Sequence, residues 1–127
     1  MAVIYTISHR KNVLKADKPS QYFAKIVQNN TVDLDTICKE IEKESTLSAA
    51  DIYATAVALQ GKIMQHLADG DCVNLDFLGR FSLGAKAKAQ ETKEEVSAKD
   101  FLKLHINYQP SLKTKKWLKQ PFSFKKK

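Results

Sequence analysis

Apolar positions change period along this chain, and each change marks an element. Val3, Tyr5 and Ile7 alternate with Ile4, Thr6 and Ser8, and QYFAKIV at 21–27 is rich in aromatic and β-branched residues, so both stretches read as strands. The Lys-rich connection RKNVLKADKPS is too long for a tight hairpin turn. Residues 1–30 are therefore predicted to form an N-terminal β appendage with Tyr5, Tyr22 and Phe23 in its core.

From Thr31 the spacing becomes helical. Thr31 is a candidate cap, Asp33 and Asp35 suit the positive end of a helix, and Leu34, Ile37, Cys38 and Ile41 fall at i, i+3, i+4 and i+7. This helix should stop near Ser45. Ser48 with Asp51 forms a capping box for a longer helix reaching about Ala68, where Gly70 ends it. Ile52, Ala56, Leu59, Ile63 and Leu67 make one apolar stripe, and Tyr53, Val57 and Met64 make a second beside it. A helix apolar on adjacent faces needs two partners.

Strand spacing then returns over Cys72–Leu78 and continues after Gly79, where the apolar series shrinks from Phe81 and Leu83 to Ala85, Ala87 and Ala89 while Lys86 and Lys88 occupy the other face. Phe101–Gln109 alternates strictly, Leu102, Leu104, Ile106 and Tyr108 against Lys103, His105, Asn107 and Gln109. The two runs read as a hairpin arm leaving the core, with its tip in QETKEEVS. Pro110 and Ser111 end the strand and open a short helix, LKTKKWLK, in which Trp117 is expected to anchor against the sheet. Phe122 and Phe124 alternate in the tail, as in a last edge strand.

Charge sharpens this outline. The net charge is +7, arranged as +4 over residues 1–30, −4 over 31–70 and +7 over 71–127. Of 21 basic residues only Arg10 and Arg80 are arginine, so the positive charge is mostly lysine, suited to phosphate rather than to bidentate reading of bases. Cys38 and Cys72 have no Cys or His at metal spacing and are expected to be reduced and buried; His9, His66 and His105 are scattered, and no catalytic or nucleotide-binding motif occurs. No enzyme, metal, cofactor or small-molecule substrate is expected. No apolar run approaches the ~18 residues of a membrane span, and the N-terminus makes a poor signal peptide, so the expected location is cytoplasmic.

The order helix, helix, strand, Gly-x-Phe strand, arm, returning strand, aromatic-x-Pro and basic helix resembles the HU and integration host factor family of bacterial histone-like DNA-binding proteins. The resemblance is carried by STLSAADIYATAVALQGKIMQHLADGDCVNL, by LGRF at 78–81 and by YQPSLKTKKWLK at 108–119. The N-terminal appendage looks like that of an extended HU-related subgroup. The implied fold is α+β: an HU-like helix pair on a small antiparallel sheet with a projecting β-arm, plus the appendage. The domains are then 1–30, an HU-like domain over 31–120, and a basic tail over 121–127.

The resemblance also implies a homodimer that binds double-stranded DNA with weak sequence preference, in the nucleoid. The two stripes of the second helix agree with a dimer, and Ile52, Tyr53, Val57, Leu59, Ile63 and Met64 are assigned to its interface. Lys86 matches a basic position at the arm base, Lys88 continues that face, and Lys115 matches a lysine of the last helix; Arg80, Lys113, Lys116 and Lys119 complete the expected DNA-binding set. The arm departs from the family's pattern. It lacks the tip proline that wedges between base pairs, carries Glu91, Glu94 and Glu95, and has Gly84 where an arginine is usual. The alternative function is an HU-like scaffold that binds a protein through its arm and N-terminal strands.

Overall fold

The computed structural model describes residues 2–11 and 19–127. Residues 12–18, most of the predicted Lys-rich connection, lie outside the described residues. The chain divides into two units, Met1–Ile37 with Gln120–Lys127, and Cys38–Lys119.

In the first unit, β1 (Val3–Arg10) pairs antiparallel with β2 (Gln21–Ile26), Tyr5 opposite Ile26 and Arg10 opposite Gln21. The alternating tail becomes β6 (Phe124–Lys126), which pairs parallel with the other edge of β1, Val3 opposite Phe124. Backbone bonds from Val3 N–H to Ser123 O (2.8 Å) and from Lys127 N–H to Tyr5 O (2.9 Å) fix that register. The aromatic residues expected in the core are more open than their type suggests: Tyr5 is half-buried, whereas Tyr22 is 71% and Phe23 47% exposed. Both belong to β2, an edge strand exposed along its whole length.

Helix α1 (Leu34–Glu44) begins later than Thr31 implies. Asp33 is the cap: its Oδ1 accepts from Thr36 N–H at 2.9 Å and its carbonyl from Ile37 N–H at 3.2 Å. A carboxylate there both fills an orphan amide and faces the positive end of the helix dipole, which a Thr hydroxyl does not.

In the second unit, α2 (Ala49–Ala68) is capped by Ser48, whose hydroxyl accepts from Asp51 N–H, and the Glu42 carboxylate accepts from Ala49 N–H. Its other end closes through Gly70 in the left-handed region (φ +86), with Asp71 N–H bonding back to His66 O and the Asp71 carboxylate 3.0 Å from His66 Nδ1. Leu67 (3% exposed) and Cys38 (1%) are the buried apolar residues among those described. Both cysteines are free, but Cys72, expected to be buried, is exposed, because it lies in the turn that follows this helix end and precedes the sheet.

The next strand is also shorter than its apolar run. β3 (Val73–Asn74) covers two residues, because the Asn74 side chain accepts from Asp76 N–H and Asp76 takes a positive φ of 49°, turning the chain. β4 (Gly79–Ala87) and β5 (Phe101–Pro110) form the expected hairpin, in a sheet of order β3-β4-β5. Gly79 opens it because φ is +137° and a Cβ would sit 2.2 Å from Gln109 O. Ser111 then caps α3 (Leu112–Leu118) by accepting from Thr114 N–H at 3.1 Å. The hydroxyls of Tyr108, Ser111 and Thr114 all donate to the Phe77 or Leu78 carbonyls, which seats α3 against the β3–β4 turn. Trp117, the expected anchor, is about half exposed.

Candidate nucleic-acid interface

Cross-strand register decides which side chains share a face of the hairpin. Arg80 lies opposite Gln109, Ser82 opposite Asn107, Gly84 opposite His105 and Lys86 opposite Lys103. Side chains alternate across a strand, so these eight positions form one surface and Phe81, Leu83, Ala85, Leu104, Ile106 and Tyr108 form the other. The first surface contains no carboxylate. At its outer end two lysines are directly opposed, which costs stability unless an anion lies between them.

Gly84 has a local purpose on that surface. A Cβ there would come within 2.5 Å of His105 Nε2 and 2.6 Å of Asn107 Nδ2, so both polar side chains lean over the glycine. An arginine at this position would displace them. The result is a row of imidazole and amide groups flanked by cations, all able to bond to phosphate, sugar or base edges.

Near the hairpin base the surface runs into an open groove of about 860 Å³, whose lining includes Arg80, Lys113 and Lys115 with one carboxylate, Asp76, beside Asn74, Phe77 and Gln109. The structure thus brings Arg80, Lys113 and Lys115 together, with Lys86 on the same face of the sheet about 20 Å further along β4, three two-residue steps away. Lys88 lies past the irregularity at Lys86/Ala87, exposed, its N–H donating to Asp100 O. Lys116 and Lys119 are exposed at the end of α3 and do not line the groove. Lys103, His105, Asn107 and Gln109 were not among the expected contacts. Strict alternation in β5 had marked them as one polar face, but only register shows that they share it with Arg80 and Lys86.

The arm tip is built differently. Residues 88–100 fold back through two short 3-10 turns, Lys93–Glu95 and Ala98–Asp100. Asp100, 8% exposed, is their anchor: its carboxylate accepts from Ser97 N–H (2.9 Å) and from Gln90 Nε2 (2.8 Å), while its carbonyl accepts from Lys88 N–H (2.8 Å). The Ser97 amide first, and the Gln90 amide second, hold the Asp100 carboxyl below its ordinary value; partial burial opposes them.

The residues assigned to a self-interface lie mostly open. Tyr53, Val57, Leu59 and Met64 are 46–59% exposed on α2, and Ile52 and Ile63 are half-buried. The apolar face of the hairpin is equally uncovered, with Leu83, Leu104, Ile106 and Tyr108 at 43–58%. Among the described residues no cluster of His, Cys, Asp or Glu could hold a metal, and no helix is long and apolar enough to cross a membrane.

Two helices, a three-stranded antiparallel sheet with a projecting hairpin, a short basic helix and an N-terminal β appendage define an α+β protein of HU-like architecture. The chain belongs to the HU-HIG family, described as an HU domain fused to wHTH, Ig or a glycine-rich motif, whose model matches residues 1–126. Among solved structures it is similar to a bacterial protein from Bacteroides vulgatus ATCC 8482 described as DNA-binding, with a TM-score of 0.68 and 10% identity. That match covers 98% of this chain and 49% of the other, so this chain spans about half the length of its structural relative. At this identity the likeness is one of fold. No curated protein matches the sequence.

Proposed function

We propose that this chain is an architectural, nucleoid-associated DNA-binding protein, not an enzyme, that acts as a homodimer and holds duplex DNA by its phosphates with weak sequence preference. The observation that carries this reading is the carboxylate-free face from Arg80 to Lys103, continuous with the groove lined by Lys113 and Lys115. Such a face attracts a polyanion and gains affinity from released counterions. Membership of an HU-domain family supports the same reading, as does the description of the Bacteroides relative.

The uncovered apolar residues of α2 and of the hairpin's other face support the dimer, since so many exposed large apolar side chains are otherwise costly in water. Two copies give two hairpins, which lets one duplex be held from both sides. The tip favours gentle bending. It has no proline to insert, its carboxylates repel phosphate, and its backbone is committed to Asp100. The same exposed Glu91, Glu94 and Glu95 favour a second reading, in which the tip takes a protein partner while the base holds DNA.

Mobility shift with random-sequence duplex, beside sedimentation of the free protein, tests the proposal. The expected result is binding at all sequences alike by a dimer whose melting temperature rises with concentration. A monomer that leaves duplex DNA unshifted would refute it.

A further inference from the structure

The charge of the appendage unit is out of proportion to its size. Met1–Ile37 with Gln120–Lys127 holds eight basic and three acidic side chains, net +5, whereas the larger unit Cys38–Lys119 holds thirteen and eleven, net +2. Most of the chain's net charge of +7 therefore lies outside the helix-and-hairpin unit.

Register puts three of the four Lys and Arg cations on β1, β2 and β6 on one side of the appendage sheet, the fourth, Lys126, lying opposite Tyr5 on the other side. Tyr5 is opposite Ile26, Ile7 opposite Ala24 and Val3 opposite Phe124, so these six residues share an apolar face, and the groove lined by Tyr5, Ala24, Ile26 and Phe124 lies on it. Thr6 is opposite Lys25, Ser8 opposite Phe23 and Ile4 opposite Lys125, and Arg10 follows Ser8 by two residues, which puts Arg10, Lys25 and Lys125 together on the other face. All three cations are exposed, one on each strand. None of the three strands contains a carboxylate. From the level of Lys125 to that of Arg10 the face runs six residues of β1, about 20 Å, the rise of about six base pairs. Phe23, 47% exposed, lies between the cations with Thr6 and Ser8, whose hydroxyls can donate to phosphate oxygen.

From this arrangement we infer that the appendage sheet is a second surface for duplex DNA, contacting phosphates through Arg10, Lys25 and Lys125. The inference rests on the DNA-binding reading above and extends it: each chain carries two separate phosphate-binding faces, one on the hairpin and one on the appendage. A three-stranded face with cations spread over three strands suits a duplex backbone better than a single bound anion, because the charges are spaced along the strands rather than convergent.

The test uses the full chain with Arg10→Gln, Lys25→Gln and Lys125→Gln together, all at exposed positions, and in parallel the hairpin variant Lys86→Ala with Lys103→Ala. Circular dichroism first establishes that both variants fold as the parent does. Binding to random-sequence duplex DNA is then measured between 50 and 200 mM salt, with duplex RNA as a second ligand. Losing three phosphate contacts makes the slope of log K against log salt shallower by about 2.7 for each chain engaged, with DNA affinity at least about tenfold weaker at low salt. An unchanged DNA slope in the triple variant overturns the inference, as does a loss confined to RNA. If the parent and triple variant bind alike while the hairpin variant is weakened, only this second surface fails. If the parent binds no duplex at all, both readings fall.

Discussion

Over its paired strands, which form the base of the arm, the β4–β5 hairpin sets Arg80 opposite Gln109 and Lys86 opposite Lys103 with no carboxylate on the face, whereas its tip carries Glu91, Glu94, Glu95 and Asp100 interspersed with Lys93 and Lys99. The base leaves its charges without internal partners. The tip turns inward, spending the Asp100 carboxylate on Ser97 and Gln90 and its carbonyl on Lys88. Charge along an element therefore says little until its bonding is known: the cations of the base have no carboxylate beside them on their face, while at the tip the Asp100 carboxylate is bonded internally and Glu91, Glu94 and Glu95 stay exposed.

The largest expected effect breaks the base geometrically. Gly79→Ala meets the Gln109 carbonyl in a backbone conformation that L residues rarely adopt, and should cost about 3 kcal/mol or more in chemical denaturation. Gly84→Ala is its control. There the new Cβ meets only the ends of the His105 and Asn107 side chains, so stability should change by less than about 1 kcal/mol while both groups are pushed aside.

Next comes charge at the base. Lys86→Ala with Lys103→Ala removes four cations from a dimer, so the salt slope should become shallower by about 3.6 and affinity should fall about equally for all sequences, as fluorescence anisotropy would register. Replacing Glu91, Glu94 and Glu95 by Gln should act oppositely and more weakly, tightening binding by about two- to fivefold at low salt, since exposed charges at a distance are screened. Weaker binding in the Gln variant would mean that the tip enters the groove.

The smallest effect concerns the Asp100 latch. Its carboxyl is held below the ordinary 3.8, so its contribution is complete above that value and is lost as pH falls through the lower folded-state value. Amide exchange at Ser97 should therefore stay slow at pH 5 and quicken only in strong acid. Asp100→Asn should quicken it at pH 5 and abolish the further quickening in strong acid.

Periodicity made the helices and the hairpin legible in the sequence, because the 3.6 and 2.0 repeats are local properties. The apolar stripes of α2, the Ser48 and Ser111 caps and the break at Gly79 are read from neighbouring residues alone. What escaped depends on partners distant in the chain or on competing local bonds. Apolar content extended β3 to Leu78, but the Asn74–Asp76 turn ends it at Asn74. The sequence marked QETKEEVS only as the tip of the arm, while the fold-back hangs on Asp100 meeting Gln90 across ten positions. The pairing of Lys86 with Lys103, the leaning of His105 over Gly84, and the docking of Phe124 beside Val3 are register facts, to which composition is blind.

The most direct measurement is the salt dependence of full-chain binding to random-sequence duplex DNA. Phosphate contacts by a dimer that neutralises about six of them give a slope of about −5, and engagement of the appendage steepens it further. A slope near zero, with affinity unchanged between 50 and 200 mM salt, would contradict the account.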